Sequence, residues 1–150
     1  MMDTVLLDQI VVGAAASLVN LIIHAVLIGG VAWTIRRLSR HDSFVPAFLQ
    51  YTIVIVATGT LLVAGHFAEV MVWAFTYALV DAVPPGTDLI YFAFGNYTTL
   101  GYGDVVPVER WHLLGPMTAL NGIMLIGWST ALIIEILRRT GHAPDKSLAS

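Results

Sequence analysis

The chain has 150 residues, of which 57% are hydrophobic and 11% charged. A soluble domain of this size carries roughly 45–50% apolar and about 25% charged residues, so the composition excludes an ordinary water-soluble globule and indicates a membrane protein. There is no cysteine, which excludes a disulfide framework and any thiolate metal or redox site; the net charge of −3 is less informative than where the charges sit.

The first residues, Met1-Met2-Asp3-Thr4, carry no basic stretch, and the apolar run after them is too long for a signal-peptide core. No cleavable signal is therefore expected. Crossing a bilayer takes about 20 apolar residues as a helix. The first run that qualifies is roughly Ile10 to Ile35, the second starts near Pro46 and extends toward Val80, and the third is roughly Leu113 to Leu137. Between the last two lies the apolar segment Leu89 to Thr99, too short to span. A short helix that dips in and returns as non-helical backbone is tolerated at membrane depth only where protein or water covers it.

Basic residues give the orientation. Arg36, Arg37 and Arg40 follow the first run, and Arg138, Arg139 and Lys146 follow the third, leaving Arg110 as the exception. Positive residues mark the cytoplasmic side. The N-terminus is then outside, the C-terminus is cytoplasmic, and the loop between the second and third runs opens outward. Asp3, Asp8, Asp81, Asp88, Asp104 and Glu109 fall on that outer side, where acidic groups either concentrate cations or simply keep loops soluble.

Ionisable groups at membrane depth are costly and usually paired or functional. Gly13, Ser17, Asn20 and His24 share one face of the first run, the small-and-polar pattern of a helix–helix contact; His24 reads as a hydrogen-bonded packing residue or a pH-sensitive group. His66 and Glu69 are three residues apart and share a helix face, continued by Trp73 and Tyr77. Two readings stand: one unbroken helix carries this face to the short segment, or the run breaks near Gly65 and leaves His66 and Glu69 at the outer water interface. No His/Glu cluster has the sequence spacing of a known metal motif. Neither a nucleophile–base pair nor a nucleic-acid footprint appears, so no enzyme is expected.

After the short segment comes Asn96-Tyr97-Thr98-Thr99-Leu100-Gly101-Tyr102-Gly103-Asp104. Thr99 to Asp104, Thr-Leu-Gly-Tyr-Gly-Asp, resembles the Thr-Val-Gly-Tyr-Gly-Asp selectivity filter of potassium channels. The resemblance extends over about Pro46 to Arg139. Asp88-Leu89-Ile90-Tyr91-Phe92-Ala93-Phe94 is similar to the aromatic opening of that family's pore helix, with Pro84-Pro85-Gly86 as a turn before it and Asp88 as its cap. Val105-Val106-Pro107 resembles the strand-like exit from the filter.

The resemblance implies an all-α membrane protein: three transmembrane helices plus a re-entrant pore helix and filter loop, assembled as a homotetramer in lipid. The short chain without a signal peptide points to the plasma (inner) membrane. Residues 1–43 would form an extra N-terminal helix and basic loop, 44–139 the pore domain and 140–150 a short cytoplasmic tail. The ligand would be K⁺ as the permeant ion, with no other cofactor and no nucleic acid partner. Backbone carbonyls replace the water shell of K⁺ in such filters. Thr99, Leu100, Gly101, Tyr102 and Gly103 would carry the ion sites, with K⁺ held at Thr99, Leu100, Gly101 and Tyr102, and Asp104 would stand at the mouth.

Asn96, Tyr97, Thr98 and Glu69 would support the filter, with Glu69 bonding Asn96 or Tyr97. Gly95 stands where some relatives have a bracing glutamate, so Glu69 would take over that part. Gly122 lies 19 residues past Gly103, at a hinge or a close helix contact; Gly127 reads as packing. Ser129, Thr130, Ile133 and Ile134 approach the cytoplasmic end, with Ile133 or Ile134 as a possible gate. Leu100 in place of valine keeps a weakly selective cation channel as one alternative. A non-conducting membrane subunit of a larger assembly is the other.

Overall fold

The computed structural model describes residues 2–38 and 46–141. It contains α1 (Met2–Leu38), α2 (Ala47–Leu79), the short α3 (Leu89–Tyr97), a single 3₁₀ turn (Glu109–Trp111) and α4 (Leu114–Gly141). Among the described residues there is no strand. Three helical stretches, Thr4–Thr34, Phe48–Leu79 and Glu109–Arg138, are long and apolar enough to cross a membrane. α3, with 9 residues, is about 13 Å long and cannot. The domain boundary at 43/44, Arg40, Lys146 and the tail beyond Gly141 lie outside the described residues.

α2 is one helix of 33 residues, so the second run does not break near Gly65. A mid-helix glycine costs about 1 kcal/mol relative to alanine, but a break inside hydrocarbon would leave several backbone groups without partners. The glycine also has a packing use: it is buried, and the space a Cβ would take is filled by Leu27 of α1. Glu69 therefore sits ten residues before the end of α2, about 15 Å along its axis, and is fully buried.

The end of α2 is a Schellman-type cap. Ala82 N–H reaches back to the Tyr77 carbonyl at 2.9 Å and Asp81 N–H to Ala78 at 3.4 Å, with Asp81 in the left-handed region at φ 50. These bonds satisfy carbonyls that the helix end would otherwise orphan. The chain then turns at Pro84-Pro85-Gly86, where Gly86 has φ 85, and enters α3. Asp88 caps α3 by accepting from the Ile90 and Tyr91 amides, both at 3.0 Å.

α3 packs between α2 and α4, and α1 packs against both of the long helices. The main core joins Trp73, Tyr77, Phe92, Ala93, Tyr97 and Leu114. A smaller cluster of Val31, Val54 and Ile136 closes the opposite end. α1 is also fastened near its start. Gln9 Oε1 accepts from the Leu113 amide at 2.7 Å, and Asp8 pairs with Arg110 at 3.2 Å. Gly13 lies against Met117 so closely that a Cβ would overlap it.

The exit segment differs from the sequence expectation. Val105, Val106 and Pro107 form no strand, because no neighbouring segment offers them a ladder. Val108 N–H instead bonds the Ala82 carbonyl at 2.8 Å, tying the segment to the end of α2. Large apolar side chains such as Leu18, Ile22, Phe48, Phe75 and Leu120 remain exposed on the outside of the bundle, as a lipid-facing or subunit-facing surface requires.

The Asp88 cap is directly testable. Asp88→Ala should lower unfolding free energy by about 1 kcal/mol, and Asp88→Asn should restore most of it, because asparagine caps comparably. Denaturant titration in detergent micelles distinguishes the two.

Candidate functional site: the segment after α3 and the polar cluster behind it

α3 ends at Tyr97, and its last bonds point the chain into an irregular segment. Thr99 N–H bonds the Asn96 carbonyl at 2.9 Å and Gly101 N–H the Gly95 carbonyl at 3.1 Å. Gly101 at φ 42 and Gly103 at φ 79 both occupy the left-handed region, which glycine enters without a Cβ penalty. Thr99 also lies there, at φ 61, where a β-branched residue is strained. Strain of this kind persists only where surrounding structure enforces it, and it clusters at functional sites.

Leu100, Tyr102 and Asp104 are exposed in the single chain. With Tyr91 and Gly101 they line a cavity of about 330 Å³ between α3 and the segment. The Tyr91 phenol is held above its ordinary value, first by desolvation and then by the Asp104 carboxylate facing it. The acid that ends the motif is thereby set next to the first turn of α3.

Behind this segment lies a buried polar cluster drawn from all four helices. Glu69 of α2 is its centre. One carboxylate oxygen meets His24 Nδ1 of α1 at 2.9 Å. The other meets His66 Nδ1 at 2.8 Å and accepts a short hydrogen bond from the Tyr97 hydroxyl of α3. His66 Nδ1 is also 2.9 Å from that hydroxyl, and its Nε2 is 2.9 Å from Ser129 Oγ of α4. With its hydrogen on Nδ1, neutral His66 donates to Glu69 while Nε2 accepts from Ser129.

Asn20 extends the cluster, donating to the Glu69 carbonyl at 3.2 Å and to Asn121 Oδ1 at 2.8 Å. Trp73 donates to the same Asn121 oxygen at 3.0 Å. Nearby, the Tyr77 hydroxyl bonds Thr118.

Tyr97 is gripped at both ends. Its hydroxyl is on Glu69. Its backbone carbonyl faces Gly122 of α4, where a Cβ would overlap the carbonyl oxygen. Gly122 is thus a close-approach glycine at the end of α3. Gly127, read from sequence as a packing position, has nothing within 4 Å of where its Cβ would stand.

The other sequence candidates fall as follows. Asn96 and Thr98 turn their side chains onto their own helix, to the Phe92 carbonyl at 3.1 Å and the Phe94 carbonyl at 2.8 Å. Of the two partners considered for Glu69, the structure brings Tyr97. Ser129 is buried against His66 rather than facing outward, while Thr130 bonds the Ile126 carbonyl at 3.0 Å. Ile133 is half-buried and Ile134 exposed near the end of α4. Asn121 did not stand out in the sequence, and His24 was not paired with Glu69. The available signal was ionisable residues in two apolar runs, but nothing in sequence spacing joins positions 24 and 69.

A family described as ion channel matches residues 53–139. The chain belongs to the ion channel family. The match covers α3, the motif and all of α4 up to Arg139, nearly the stretch over which the sequence resembles a potassium-channel pore. Searches of characterised proteins and of solved structures found no match. With three helices able to cross a bilayer, the channel is a multi-pass membrane protein.

Two pairs of substitutions probe the channel's α3–α4 contact and its polar cluster. Gly122→Ala should cost about 1–3 kcal/mol, because the Tyr97 carbonyl is backbone and yields little to overpacking; Gly127→Ala should be nearly neutral. Thermal unfolding in detergent compares them. Glu69→Gln and Tyr97→Phe should be strongly non-additive in a double-mutant cycle, since they remove the two ends of one bond.

Proposed function

We propose that this channel is a homotetramer selective for K⁺. The observation that carries this reading is the coincidence of motif and backbone. Thr-Leu-Gly-Tyr-Gly-Asp follows directly on a capped short helix, and both of its glycines adopt positive φ. Four copies would line an axis with the carbonyls of Thr99, Leu100, Gly101 and Tyr102, supplemented by the Thr99 hydroxyl. A ring of such oxygens can replace the hydration shell of K⁺. One chain carries one such segment, so the ring needs several chains, and cyclic closure is the usual solution.

α3 would be a re-entrant pore helix, its C-terminal partial negative charge favouring a cation at the centre of the membrane. Asp104 would add negative potential at the outer mouth. The start of α1 lies beside the 3₁₀ turn through Asp8 and Arg110, which supports an external N-terminus together with the basic residues Arg36, Arg37, Arg138 and Arg139 in the last turns of α1 and α4. Glu69, acting through Tyr97, would steady the inner end of the filter. α4 would line the cytoplasmic half of the pore, with Gly122 at its contact to α3 and Ile133 or Ile134 at a constriction.

A second reading, weak cation selectivity, has one observation in its favour. Gly95 has nothing within 4 Å of its Cβ position, so the side of α3 that carries a brace in some relatives is open here. Leu100 adds bulk at the same level.

Bi-ionic recording from purified channel in a planar bilayer decides between them. With K⁺ on one side and Na⁺ on the other, a reversal potential near the K⁺ equilibrium value is expected. Reversal near zero with robust current would establish weak selectivity instead. Gly103→Ala should abolish selective current, because alanine resists the required φ, and Leu100→Val should retain it.

A further inference from the structure

We propose that His24, Glu69 and His66 form a binding site for a divalent transition-metal ion, with the Tyr97 oxygen as a fourth ligand. One ring nitrogen from each histidine and one carboxylate oxygen lie within 4.8 Å of one another. The donors come from α1 and α2, and the Tyr97 hydroxyl from α3 stands 2.9 Å from His66 Nδ1. Around a tetrahedral zinc ion, ligand atoms about 2.0–2.1 Å from the metal stand roughly 3.3 Å from each other. Glu69 Oε1 is 2.9 Å from His24 Nδ1 and Oε2 is 2.8 Å from His66 Nδ1, so the donors already converge and an ion entering between them would push these contacts apart toward that spacing.

The chemistry of the donor set selects the class of ion. Two imidazoles and a single carboxylate suit zinc and its neighbours in the first transition row. Calcium and magnesium prefer all-oxygen shells of six or more ligands. The surroundings also fit. Glu69 and His24 are 0% and 1% exposed, so the carboxylate sits in a low dielectric where a cation compensates it well. His66 is 20% exposed, which leaves a way in.

Ligation through Nδ1 requires each histidine to carry its hydrogen on Nε2. For His66 that hydrogen would then be donated to Ser129 Oγ, 2.9 Å away, the kind of outer bond that orients metal-bound histidines. His24 Nε2 has no partner, so for this histidine no outer bond orients the ring, and its position rests on the ligand bond and the helix packing. The bound ion would join α1 to α2 and, through Tyr97, to the end of α3, two positions before Thr99.

The test uses full-length, untagged channel in detergent, equilibrated with zinc in excess K⁺ and Mg²⁺ and then freed of unbound metal. Elemental analysis should give one zinc per chain. Zinc-edge X-ray absorption should give two imidazole nitrogens among ligands near 2.0–2.1 Å. Zinc should raise Tm in the unaltered channel. His24→Gln should lose both the retained zinc and the Tm shift, whereas His112→Gln, at an exposed position outside the cluster, should lose neither.

A channel that retains no stoichiometric zinc overturns the proposal without reference to any variant. So does zinc that survives His24→Gln unchanged, or an absorption spectrum lacking imidazole. None of these readouts depends on conduction, so failure here leaves the K⁺ reading untouched, and the reverse also holds.

Discussion

A carboxylate placed among apolar helices must be satisfied by protein, because hydrocarbon offers it nothing. Glu69 imposes that requirement on this chain. Insertion scales put a carboxylate at the centre of a spanning helix about 2.5–3.5 kcal/mol uphill, and Glu69 answers with hydrogen-bond partners from three helices. Each partner must reach the same point, so each helix is fixed in rotation and in depth. His24 sets α1, His66 keeps the cluster within α2, Tyr97 sets α3, and Ser129 carries the network on to α4. Apolar packing alone would allow these helices to slide or turn against one another with little change in contact area. A polar cluster of this kind admits far fewer arrangements.

The second consequence concerns Tyr97. Its hydroxyl belongs to the cluster and its carbonyl is covered by Gly122. The residue that ends the short helix is held from both sides, and the irregular segment begins immediately after it. A strained Thr99 at φ 61 needs such support, since an isolated chain would relax. The tight end of α3 and the unusual backbone that follows are parts of one arrangement.

Much of this was readable from the sequence. Runs of apolar residues gave the three long helices to within a few residues at most ends, since length and hydropathy are nearly sufficient for a spanning helix. Asp88 was legible as a cap because capping depends on local residue type. The motif from Thr99 to Asp104 was legible because few backbones demand glycine at alternate positions. Gly65 was misleading: local propensity allowed a break, but burial against Leu27 and the cost of an interrupted helix in lipid overrode it. The exit segment looked extended and is irregular, because a strand needs a neighbour that sequence does not display. Most instructive is the cluster. His24 and Glu69 are 45 residues apart, and only the antiparallel docking of α1 on α2 brings them together. Helix faces could be read from sequence; which faces meet could not.

The docking of α1 also bears on where this protein can be divided. The family match begins at residue 53, and a pore cut out there would look complete by descent. Physically it would be a torn surface. Asn121 and Glu69 would lose Asn20 and His24, the Leu113 amide would lose Gln9, and the hollow at Gly65 would stand empty of Leu27. The inherited segment and the folding segment therefore have different borders. A helix that lies outside the family match is obligatory here because it covers a buried charge on the helix it packs against.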